Sequence, residues 1–221
     1  AKLKNETLTS LTGAQVAALT SAQVASLTIS QVNGLKTGQI FALTSTQVAA
    51  LSSEQLNSLA TLNLQALSSL SLKGINTSVI SKLQIDRLAT LTTMQVSALT
   101  TAQVASLTGV QIVGLTTAQL MSLTSVQVAA LSSETRGFQA LSAAQIRAIS
   151  ATNFAKLTDS QLQSLTTRQA ATLSAVQIAG LSSKQVNSLA TLNMRALSVL
   201  ALQTINTSVI AKLDTDQVAA L

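Results

Sequence analysis

The chain has 221 residues, 47% of them hydrophobic, and a formal net charge of +6 from 13 Lys and Arg against 7 Asp and Glu. It contains no Cys and no His, which removes thiol chemistry, disulfides, imidazole bases and the commonest metal ligand together. No apolar run approaches the ~18–20 residues of a membrane span; the scattered positive charge also lacks the clustering and the stacking aromatics of a nucleic-acid binder.

Residues 1–10 read as a degenerate first octad. From Leu11 a unit of eight residues, Leu-Thr-x-x-Gln-Val-x-x, repeats through residue 130, slips by two residues over 131–140, and runs again over 141–221. Repetition on this scale describes an architecture before it describes a site. In the 25 regular octads position 1 is always Leu or Ile, and position 6 is a larger apolar residue except at Ala170. Position 2 is Ser, Thr, Asn or Asp in 21 of them and position 5 is Gln in 17, a regularity that needs a mechanical cause.

Ser or Thr followed three residues later by Gln is a capping box. The hydroxyl accepts from the N3 backbone N–H, and the Gln side chain accepts from the N-cap N–H. Apolar residues before the cap and at N4, here positions 1 and 6, form a hydrophobic staple. One octad, such as Leu99 to Ser106, carries both devices, so each octad starts its own helix over positions 3 to 8. One long helix is excluded because eight residues at ~100° leave the Leu stripe rotated by ~80° per octad. A β-solenoid is the alternative, since Thr, Val and Ile favour strands. Strand alternation, however, sends positions 1 and 6 to opposite faces.

The expected fold is therefore all-α: a tight repeat solenoid of very short helices, one per octapeptide, forming one continuous repeat domain. No octad stands alone, because the backbone entropy of eight ordered residues exceeds what one Leu, one Val and a cap return. Stability should be shared along the stack.

Departures from the pattern mark candidate surfaces. Ile75–Lys82, Ile149–Lys156 and Ile205–Lys212 are variant octads with Lys at the otherwise small position 8, so Lys82, Lys156 and Lys212 are candidate surface contacts. Arg136 joins them in the irregular unit, where a bulge is expected and Gly137 permits φ > 0. Asp214 falls at position 2 and reads as an N-cap. The last octad lacks a polar capping repeat, which suggests self-association or continuation into a longer chain. No catalytic, cofactor-binding or metal-binding residues are identified, and no cofactor is expected.

Taken whole, Leu11 to Leu221 resembles the octapeptide Leu-Thr-x-x-Gln-Val tracts of very large bacterial secreted and surface proteins of the adhesin or exoprotein type. That resemblance implies a secreted or cell-surface, non-enzymatic protein serving as spacer, scaffold or self-assembling filament component. The alternative is an adhesin-like module whose lysines hold a polyanion such as a surface polysaccharide.

Overall fold

The computed structural model describes residues 4–131 and 137–221. These residues form 26 short α-helices and one 3-10 turn, Phe138–Ala140, with no strand among them. The helical solenoid is the correct reading and the β-solenoid is not. Each α-helix begins at position 3 of its octad and runs for four to six residues, as in Thr77–Ile80 and Ser125–Ala130.

The capping box is what starts them. At Leu99–Ser106, Thr100 is extended (φ −70°, ψ 156°) and its Oγ1 accepts from the Gln103 N–H at 3.2 Å. Gln103 Oε1 accepts in return from the Thr100 N–H at 2.8 Å. The same reciprocal pair recurs through most of the array. Nearly every helix then stops on a short bond from the next position-1 N–H to the position-6 carbonyl, as from Leu99 to Val96 at 3.2 Å. Leu99 itself is extended (φ −57°, ψ 145°) and leads the chain into the next cap. No described residue has positive φ, so the corner is turned without a left-handed residue.

The described chain divides into two compact units, Ala1–Ser106 and Leu107–Leu221. In both, a helix packs on the third one along the chain. In the first unit Gly13–Ala17 packs on Thr37–Phe41, and Ser21–Ala25 on Ser45–Ala49; in the second Thr167–Ala170 packs on Thr191–Ala196. Three octads therefore make one coil with three sides. Positions 1 and 6 point inward and form a narrow aliphatic core, with Val104 at 0% and Leu107 at 4% exposure. Small residues at position 8 permit close approach. At Gly74 a Cβ would lie 2.0 Å from the Ser45 carbonyl oxygen of the coil below, so only glycine fits.

Within the irregular unit, Leu131 and Phe138 are both buried, so Phe138 fills the slot that position 6 holds elsewhere. Gly137 has φ −107°, and the left-handed option is not used. The bulge expected of the ten-residue unit 131–140 cannot be followed through residues 132–136, which lie outside the described residues.

Candidate functional site

The most repeated chemical feature is the seam between coils, and position 5 builds it. The Gln that closes the capping box with its Oε1 turns its Nε2 toward the coil below. Gln103 Nε2 donates to the carbonyls of Leu72 (2.8 Å) and Ile75 (2.7 Å). Gln47 does the same to Val16 (2.8 Å) and Leu19 (2.7 Å), and Gln177 to Ile146 (3.1 Å) and Ile149 (2.8 Å). These acceptors sit at helix ends and corners, where buried carbonyls lack a helical partner and must find another. One side chain thus starts its own helix and completes the corner of another.

Only an amide does both. Glu also closes a capping box, but a carboxylate has no N–H to donate and would bury a charge against carbonyl oxygens. No regular octad has Glu or Asp at position 5, and that absence is the sequence signal that a cap-only reading overlooks. Asn63, Asn153 and Asn193 replace Gln and still donate downward, to Leu35, Leu123 and Leu165. Even Arg87 places Nη1 3.1 Å from the Leu59 carbonyl oxygen.

The two extra residues of the irregular unit are visible in this register. Gln169 reaches Leu141 across 28 residues, the usual spacing, whereas Gln145 reaches Leu115 across 30. The insertion is absorbed in one coil and the ladder resumes.

Within the second unit, the two sequence-derived surface lysines lie on different sides of the coil. Lys82, Lys156 and Lys212 are all exposed. In the second unit Lys156 follows the helix Ala151–Phe154 and Lys212 follows Thr207–Ile210, which belong to different sides of the coil. Lys82 lies in the first unit, and Arg136 lies outside the described residues. What the variant octads do instead is use asparagine. Asn57 and Asn187 donate to the carbonyls of Lys82 and Lys212, both at 3.1 Å, so these lysines are engaged through their backbone. The Oδ1 atoms of the same asparagines accept from the N–H groups of Gln84 and Asp214. Asp214 stands at the N-cap position but makes no side-chain cap. With its N–H taken by Asn187, the buried Gln217 Oε1 is left without a partner.

Charge chemistry is sparse. Lys184 Nζ lies 2.8 Å from Asp159 Oδ2 in an exposed ion pair between coils. Hydrogen bonding to Lys184 holds the Asp159 carboxyl below its usual range, and the Lys184 ammonium is raised in turn. Glu54 is also lowered, first by its own backbone N–H and then by the Ser52 and Ser53 hydroxyls. Among the described residues no acidic cluster could hold a metal ion, and no helix is long and apolar enough to cross a membrane. The arrangement holds coils together.

Among known protein families, the model described as ALTTAQ repeat matches residues 30–61. No curated protein matches the chain. The matched segment covers three successive helices, Thr37–Phe41, Ser45–Ala49 and Ser53–Ser58, and thus a full coil of the first unit. The chain is a repeat-tract protein of helical octads, similar over that coil to the ALTTAQ repeat.

Proposed function

We propose that this chain is a non-enzymatic structural element, a spacer or scaffold at a bacterial surface or in its secreted matrix, built to assemble with further coils of its own kind. The observation that carries this reading is the double use of position 5: the side chain there, Gln in 17 of the 25 regular octads, is consumed in joining coil to coil. The resemblance to tracts of large secreted and surface proteins supports the extracellular location.

The outer rows support the assembling part. In the first coil, Gln15 and Gln23 are exposed; their Oε1 atoms close capping boxes, while their Nε2 groups meet no described acceptor. In the last coil, position 6 is open, with Ile210 at 39% and Val218 at 52% exposure where earlier equivalents are buried. A second copy docked there would offer amides to one row and be capped by the other. Heterologous contacts of this head-to-tail kind form open filaments when no rotation closes them.

Sedimentation and negative-stain imaging of the chain over a concentration series provide the test. End-to-end particles that lengthen with concentration are expected, and Val218→Asp should shorten them. A strictly monomeric protein that turns over a small-molecule ligand would defeat the proposal.

A further inference from the structure

The second unit sorts its basic residues by type. Arg147, Arg168 and Arg195 lie on Ala143–Ala148, Thr167–Ala170 and Thr191–Ala196, each packed on the next, so they climb one side of the coil one step at a time. Lys156, Lys184 and Lys212 lie on or beside helices of the other two sides. The arginines occupy octad positions 7, 4 and 7, three residues apart and hence on one helix face.

All three are exposed, and none is paired with an acid among the described residues. Their own helices carry no Asp or Glu. The next helix on this side, Thr215–Val218, carries Asp216 with Asp214 before it, and there the positive column ends. Beside Arg168, between two of these coils, runs an open groove of about 460 Å³ edged by Gln139, Ser142, Thr166 and Gln169. Leu141, Ala143 and Ala144 complete its lining, which has no aromatic ring.

We infer that this side of the second unit binds an extended anionic polysaccharide. A guanidinium presents a planar fork that fits carboxylate or sulfate oxygens in two parallel hydrogen bonds. A polymer with recurring acidic groups engages several arginines in succession, so weak individual contacts multiply. Thr166 and Gln169 are spent on their own cap and seam, so the Gln139 amide and the Ser142 O–H donor are the groups left to meet sugar hydroxyls beside Arg168. Single-stranded nucleic acid fits less well, because its binding relies on aromatic platforms for the bases. The proposal does not depend on the scaffold reading, since a spacer needs no ligand on its sides.

The test is titration of the full chain with polygalacturonate, dextran sulfate, neutral dextran and single-stranded DNA. Two variants of equal charge change are compared: Arg147→Gln/Arg168→Gln/Arg195→Gln and Lys82→Gln/Lys156→Gln/Lys212→Gln. One acidic polysaccharide or both should bind and neutral dextran should not, with their ratio telling carboxylate from sulfate preference. The arginine variant should weaken binding about tenfold or more, and the lysine variant less than about twofold. Equal weakening by both variants, no binding of either acidic polysaccharide, or tighter binding of the DNA would each overturn the inference.

Discussion

Gln103 divides its amide between two tasks, Oε1 to its own helix start and Nε2 to the coil below. Replacing it tests both. Gln103→Ala should cost about 1–3 kcal/mol, the range for leaving buried partners unsatisfied. Gln103→Glu should cost more at neutral pH, because it keeps the cap while setting a buried carboxylate against carbonyl oxygens. Burial raises such a carboxyl in the folded state above its unfolded value of about 4.3. The excess penalty is therefore present in full above the raised folded value, fades as pH falls from there toward the unfolded one and is gone below it, which acid-to-neutral urea titrations of both variants would measure. Asp159 has the opposite sign. Its carboxyl is lowered by Lys184, so its small, exposed contribution exists above the unfolded value and disappears as pH falls through the folded one. The melting-temperature gap between the parent and Asp159→Asn should accordingly narrow once pH falls below the unfolded value of about 3.9 and close below the lowered folded one.

At the scale of one octad, the sequence was legible because its signals are local. Thr100 and Gln103 are three residues apart, so the capping box can be read along the chain; Leu99 and Val104 mark the staple in the same way. The three-octad coil was not legible. It depends on which carbonyl the amide of Gln103 reaches, and Ile75 lies 28 residues away with nothing in the octad to specify the distance. The lysines of the variant octads could not be placed on the coil for a related reason. Their spacing in sequence says nothing of the coil's three sides until the number of octads per coil is known. Glycines at different octad positions also differ. Gly74 abuts the Ser45 backbone, whereas a Cβ at Gly38 meets nothing within 4 Å. Gly74→Ala should destabilise by at least about 1–3 kcal/mol, since a backbone oxygen cannot rotate aside. Gly38→Ala, inside the helix Thr37–Phe41, should stabilise by about 0.5–1 kcal/mol. Thermal denaturation of the two variants side by side would decide this.

At the scale of the molecule, the long-range bonds are nearly all between neighbouring coils. The longest described in the seam joins Gln161 to Val128 across 33 residues. A tensile load on a unit would therefore be resisted by one rung of amides at a time, with no distant strand clamping the whole. Under force spectroscopy the chain should unspool in small, even steps, each freed coil adding about 80 Å of contour length at ~3.3–3.6 Å per residue. On relaxation it should rewind from any intact coil, because the next rung is always adjacent. Such a tether would absorb shock by lengthening and then recover its grip.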